Sequence, residues 1–266
     1  MSAPGPAMVE AVPGAALRPY VSRLCAYRED PGTPEARAEA ALPRAVLVLG
    51  FGAPLEVEGR PLTAFAGGLG DRYTLTRVSG PGEGVEVVLT PFGARRLYGL
   101  PMRHLTNRVV PAEDVLGAWA GTAAERLAAT ATPRDRLALA ERLLRERLST
   151  GPDPRPEVAW AWERLLSTGG GVSVSALAAT LGWSHRHLVS RFHEEVGLAP
   201  KAAARVIRFA GAVRMLRGGA PIARVAADCG FYDQAHMNRE FRALGGTTPG
   251  QIRPRPGGPA QAMLWP

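Results

Sequence analysis

Residues 222–241 read IARVAADCGFYDQAHMNREF. Pro221 opens a short helix that runs to Cys229, and Gly230 turns the chain. Asp233 is placed to cap a second helix, whose inner face is Met237, Phe241 and Leu244. The outward side of that helix carries Gln234, His236, Asn238 and Arg239. Helix, tight turn, helix is the expected arrangement. A helix fits a DNA major groove, where Gln and Asn pair bidentately with adenine and Arg with guanine.

The same pattern occurs earlier. Residues 175–196 read SALAATLGWSHRHLVSRFHEEV. Gly182 makes the turn and Ser184 caps the second helix. Leu177, Ala178 and Leu181 face Leu188, Phe192 and Val196 in an apolar seam. His185, Arg186, Ser190 and Arg191 lie outward near the helix start. Between the units, Pro200 starts a long helix and Gly218-Gly219 ends it. Its buried stripe is read as Val206, Ile207, Ala210, Val213 and Leu216. Two such units on one stiff helix would set two reading helices in successive major-groove segments.

Charge agrees with this. The chain of 266 residues has a net charge of +8. Residues 160–266 carry 13 basic and 6 acidic side chains, whereas residues 1–159 are close to balance. A concentrated positive field suits a polyanion. Lys201 is the only lysine. Two cysteines, Cys25 and Cys229, are too few for a disulfide scaffold or a four-cysteine metal cluster. No apolar run is long enough for a membrane helix, and residues 1–16 have no signal-peptide pattern, so a cytoplasmic protein is expected.

The N-terminal part reads differently. Residues 1–16 are rich in Pro, Gly and Ala and are expected to be disordered. Arg44–Leu49, Leu55–Glu58, Leu62–Ala66, Tyr73–Val78 and Val85–Leu89 read as short strands separated by turn signals. Their spacing suggests a small antiparallel sheet or barrel. Gly93–Tyr98 is a short helix or turn, and 111–129 and 133–148 carry helical apolar spacing. Three prolines within 149–156 mark a linker. The fold class is therefore α+β. The divisions are 1–16 disordered, 17–150 a β-rich sensor or oligomerisation domain ending in helices, 151–156 linker, 157–256 DNA-binding domain, and 257–266 tail.

At this point the chain resembles the AraC/XylS family of transcription regulators. The carrying residues are Ile222, Val225, Ala226, Gly230, Phe231, Phe241, Arg242, Gly246, Thr248, Pro249 and Arg253. The resemblance covers about 156–253 and implies a seven-helix, all-α domain with two helix-turn-helix motifs. It departs at Met237 and Ile252, which keep apolar bulk where larger or aromatic residues are usual. Carried over by position, base reading falls on His185, Arg186, Val189, Ser190, Gln234, Ala235, His236, Asn238 and Arg239. Val189 and Ala235 can contribute only apolar contact to a thymine methyl. Arg191, Lys201, Arg205 and Arg208 are the phosphate candidates. The part before residue 150 resembles the small β-plus-helix domains of some members, with no effector implied.

Catalytic readings fare poorly. Four histidines, His185, His187, His193 and His236, lack the cysteines or carboxylates of a zinc set. His104 is the only histidine before residue 185, which argues against a metal cupin. Glu56 and Glu58 are read as solvated, and Gly67–Asp71 lacks the Lys-Ser/Thr of a phosphate loop. A cysteine-methylating repair enzyme would need a cysteine cluster, and Cys25 stands alone outside the DNA-binding part. No cofactor, no metal and no enzymatic activity are expected. Cys229 and the tryptophans 160, 162 and 183 are read as packing residues. Phe51, Phe65, Tyr73 and Phe92 are the candidates for lining an effector pocket. The expected partners are double-stranded DNA, a small-molecule effector, a second copy of the chain, and RNA polymerase if the protein activates; no membrane is expected. The alternative is a regulator controlled by a protein partner with no ligand.

Overall fold

A computed structural model describes residues 7–252. The N-terminal half is built on two antiparallel sheets. The larger has the order β1 (Ala7–Ala11), β2 (Val21–Glu29), β9 (Gly82–Leu89), β4 (Ala45–Gly50), β7 (Ala64–Gly67) and β10 (Val109–Pro111). The smaller is β3 (Glu35–Glu39), β8 (Thr74–Val78), β5 (Leu55–Val57) and β6 (Arg60–Leu62). The alternation of a pleated strand explains how both faces of the large sheet are used. Leu47, Leu49, Val85, Val87 and Leu89 point into the main core. Val48 points the other way, into a second apolar cluster with Val57, Leu62 and Phe65 between the sheets.

Helices cover the first face. These are α1 (Pro91–Tyr98), α2 (Ala112–Leu116), α3 (Ala118–Ala128) and α4 (Pro133–Leu148). The helix expected over 111–129 is broken at Gly117, which caps α2 and starts α3. A short 3-10 turn spans Met102–Leu105.

The disorder expected for 1–16 is corrected in its second part. Residues 7–11 pair with β2 as an edge strand, and Glu10 lies 3.3 Å from Arg23. The strand is only five residues long and lies between Pro6 and Pro13-Gly14, too short a run for a local pattern to announce it. Residues 1–6, the proposed tail at 257–266, and Arg253 of the family signature lie outside the described residues.

Seven helices follow among the described residues: α5 (Pro156–Ser167), α6 (Val174–Thr180), α7 (His185–Val196), α8 (Pro200–Arg217), α9 (Ile222–Asp228), α10 (Gln234–Gly245) and α11 (Pro249–Ile252). The buried stripe of α8 runs through Phe209 where Ala210 was expected. Trp162 is buried against Phe192, with ring centroids 6.2 Å apart, but Trp160 is exposed, which corrects its reading as a packing residue. Trp160 sits two residues before Trp162, and a step of two cannot place both on one helix face.

The segment between α4 and α5 is held at both ends. Arg96 donates to the carbonyl of Leu148 and pairs with Asp153. The backbone N–H of Arg155 donates to Glu195 Oε2 at 3.0 Å, and Glu195 is 1% exposed.

Candidate nucleic-acid interface and the cavity beneath it

Each helix-turn-helix unit is set by two local features. The turns fall at Gly182 (φ 65°) and Gly230 (φ 68°), a left-handed backbone that costs a side chain steric strain. The second helices are capped as read: Ser184 Oγ accepts from His187 N–H at 3.2 Å, and Asp233 Oδ1 from His236 N–H at 2.5 Å. Caps fix where each helix starts, and so which side chains stand at its exposed tip. Leu188, Phe192 and Val196 of α7 and Met237, Phe241 and Leu244 of α10 are fully buried.

On α7, His185, Arg186 and Ser190 are exposed and Val189 is half-buried. On α10, Gln234, Ala235 and Arg239 are exposed and Asn238 is half-buried. His236 differs. Its Nδ1 accepts from Tyr232 N–H at 3.3 Å, its ring meets Phe231 edge-on at 5.7 Å, and its Nε2 lies 4.0 Å from Glu240. The ring is thus folded back along its own helix. His187, exposed, packs edge-on against Trp183 at 4.5 Å.

The phosphate candidates scatter. Lys201 is exposed at the start of α8. Arg191 pairs with Glu194 at 3.1 Å. Arg208 is half-buried, with Nη2 donating to the Gly170 carbonyl at 3.4 Å. Arg205 is engaged by two carboxylates, Glu240 at 3.0 Å and Asp71 at 3.7 Å. The reading of the sequence passed over Tyr232, which is 93% exposed beside the cap of α10. Its one signal was an aromatic residue between a turn glycine and a cap, where nothing inward receives it.

A cavity of about 220 Å³ lies between the two sheets. Its lining mixes apolar Val48, Val57, Phe65 and Val88 with polar Arg23, Tyr27, Arg37, Glu39, Arg44 and Glu86; Val48 and Glu86 are paired neighbours on β4 and β9. Glu86 pairs with Arg23 at 2.6 Å, and Arg37 with Glu29 at 2.8 Å. Thr76 Oγ1 donates to Glu39 at 2.9 Å. Burial pushes the Glu39 carboxyl up to about 7, against the opposing pull of Thr76 and Arg37. Burial also raises Glu86 and takes the Cys25 thiol up to about 11. Of the four aromatic residues read as pocket lining, Phe65 alone lines this cavity. Phe92 is in the main core, Phe51 lies under the Arg136 guanidinium, and Tyr73 meets Gly246 of the helical half. None of these three lies on a strand: Phe51 follows β4, Tyr73 precedes β8 and Phe92 is on α1, so strand alternation does not carry them to the space between the sheets, as it does Phe65 on β7.

Among the described residues, no His, Cys, Asp and Glu group together as a metal site, and no helix is long and apolar enough to cross a membrane.

Residues 177–255 match a helix-turn-helix domain family. Over 91 residues the chain is 33% identical to YbfI, an uncharacterised HTH-type transcriptional regulator of Bacillus subtilis (strain 168). That stretch is 34% of this chain and 33% of YbfI, so the match spans about a third of the curated relative. ToxT from Vibrio cholerae superposes with a TM-score of 0.50 at 11% identity, over 86% of this chain and 96% of that one. The likeness concerns fold and extends over both halves. The C-terminal domain of AraT, a response regulator from Geobacillus stearothermophilus, aligns at 21% identity over 41% of this chain and 93% of its own, with a TM-score of 0.37. Two capped helix-turn-helix units on one long helix, matched by the helix-turn-helix family, make the C-terminal part of this chain an AraC-type domain.

Proposed function

We propose that the protein is a one-component, sequence-specific DNA-binding transcription regulator. One observation carries this reading: α7 and α10 are both N-capped and both leave polar side chains exposed at the capped end. Arg186 and Arg239 are the principal base readers, supported by His185, Ser190, Gln234 and Asn238, with Val189 and Ala235 offering methyl contact. His236 acts chiefly by holding Tyr232 and the cap, and Tyr232 joins the contact surface. Lys201 is the best-placed phosphate partner, with Arg191 and Arg208 behind it.

The N-terminal half is the sensor in this reading, because its cavity combines apolar and charged lining residues, as small-molecule sites do. A ligand there would shift the populations of DNA-competent forms through differential affinity. Homodimerisation would double the site read, and RNA polymerase would be the further partner of an activator.

The test is selection of source-genome fragments on the purified full chain at about 150 mM salt, where nonspecific phosphate binding is weak. Enrichment of two sequence blocks about one helical turn apart is expected. Retention of fragments without any shared motif, with and without metabolite extract, would defeat the reading. A thermal-shift screen of the full chain against a metabolite panel separates a ligand sensor from a regulator controlled by a protein partner.

A further inference from the structure

The reading helix α10 is tied to the N-terminal half at three points. Glu240 accepts from Arg205 of α8 at both oxygens, 3.0 Å from Nε and 3.2 Å from Nη2. The same guanidinium reaches Asp71, with Nη1 3.7 Å from Oδ2. Farther along the helix, the carbonyls of Ala243 and Leu244 accept from Tyr73 N–H at 3.3 Å and Ala41 N–H at 2.7 Å.

Asp71 is not a loose surface acid. Its N–H donates to Asn107 Oδ1 at 2.8 Å, and Asn107 Nδ2 donates back to its Oδ1 at 2.9 Å. Asn107 holds a φ of 54°, and its neighbour Thr106 donates to the Gly197 carbonyl at the end of α7. One turn therefore touches Asp71 on one side and the first reading helix on the other.

These anchoring residues belong to segments that wall the cavity. Glu39, Ala41, Gly70, Arg72 and Asn107 all line it. The backbone that closes the cavity and the backbone that holds the end of α10 are the same backbone. Spreading 39–44 from 70–74 displaces the backbone that carries Asp71 and bonds the end of α10, and a molecule does so only as far as its affinity differs between the two arrangements.

We propose that the Asp71–Arg205–Glu240 ion-pair chain is the joint through which the contents of the cavity set the pose of α10. Arg205 is then a positioning residue of the second reading helix, and a phosphate contact is the competing role. The meaning of the joint for DNA rests on the regulator reading above; its existence does not, and it is tested without DNA.

The experiment is hydrogen exchange of the α10 amides in the full chain. The variants are Asp71→Asn, which keeps an acceptor for Asn107 and removes the charge, Arg205→Gln, and the double variant. Each single change should speed exchange in 234–245 by roughly two- to tenfold, and the double should do no more than the larger single, as coupled neighbours behave. Arg224→Ala, which breaks an exposed pair on α9, is the control and should leave α10 unchanged. The cavity arm uses Val57→Phe, which adds bulk to the cavity lining. It should alter α10 exchange in the native background and lose that effect beside Asp71→Asn. Thermal melts identify any variant that is loosened globally; Asp71→Glu, which restores the charge, then serves as the second comparison and should return exchange to the native rate.

Unchanged α10 exchange in Asp71→Asn overturns the joint. So do additive single effects, or a Val57→Phe effect indifferent to Asp71. Native exchange in Arg205→Gln together with a flatter salt dependence of DNA binding would also overturn it, and would make Arg205 a phosphate contact. Absence of DNA selection by the native chain would defeat the regulator reading while leaving the exchange result standing.

Discussion

The Phe209 and Phe241 rings meet edge to face, with centroids 4.8 Å apart and planes at 75°. Both are fully buried, so the long helix α8 and the reading helix α10 share one aromatic contact at their crossing. Phe241→Ala should destabilise the protein by about 3–5 kcal/mol, the range for losing a buried aromatic ring. Phe241→Leu should lose less, since it keeps part of the volume. Urea denaturation checks both, and equal losses would mean that the volume Leu keeps contributes nothing without the ring.

The two turns make a cleaner comparison. Space around Gly182 and Gly230 is open, so an added methyl meets no neighbour within 4 Å. Only the left-handed backbone resists it. Gly182→Ala and Gly230→Ala should each destabilise by about 1–2 kcal/mol, and the two losses should add because the units lie apart. Thermal denaturation of the single and double variants measures this.

Arg239→Ala should weaken binding to the selected site by roughly 1–3 kcal/mol and relax preference at one base step. Lys201→Ala should weaken all sequences alike and reduce the salt slope by about one. Binding titrations at several salt concentrations distinguish the patterns, and an exchange of the two outcomes would reverse the roles proposed for these side chains.

Tyr232→Ala should leave thermal stability unchanged, because the side chain is 93% exposed. Affinity for the selected site should nevertheless fall. Equal DNA affinity in the native protein and the variant would remove Tyr232 from the contact surface.

Glu39 gives a pH prediction. Its folded-state value of about 7 lies above the ordinary 4.5, so the folded protein holds this proton more tightly than the unfolded chain. The associated stability is complete below about 4.5 and is lost as pH rises through about 7. Glu39→Gln keeps an acceptor for Thr76 and cannot ionise. Relative to the native protein, the variant should gain up to roughly 3 kcal/mol between pH 4.5 and 8. Urea denaturation at pH 5 and pH 8 reads the difference; a pH-independent gap between the two proteins would place Glu39 in contact with water.

The helical half was legible because its signals are local. A cap, a turn glycine and an apolar face each lie within four residues, and Ser184, Asp233, Gly182 and Gly230 stood where the reading put them. The strands from 44 to 89 were legible for the same reason. The strands β1, β2 and β3 were not read: β2 and β3 find β9 and β8 far along the chain, and β1 is a five-residue edge strand that pairs with β2 alone. The cavity was hidden likewise: alternation tells that Val48 and Leu47 face opposite ways, but not which side is helix and which is hollow. The contact of Arg205 with Asp71 spans 134 positions of sequence, and no local pattern announces it.

The braced segment between α4 and α5 bears on how this protein can be rebuilt. Arg96 grips it from one half, and Glu195 of α7 grips it from the other. It is a strut fixed at both ends, where a tether would be slack. Chimaeras that treat the two halves as interchangeable cassettes would leave a carboxylate, 1% exposed, facing a foreign joint. Functional hybrids with a relative should therefore need both grips transplanted along with the strut.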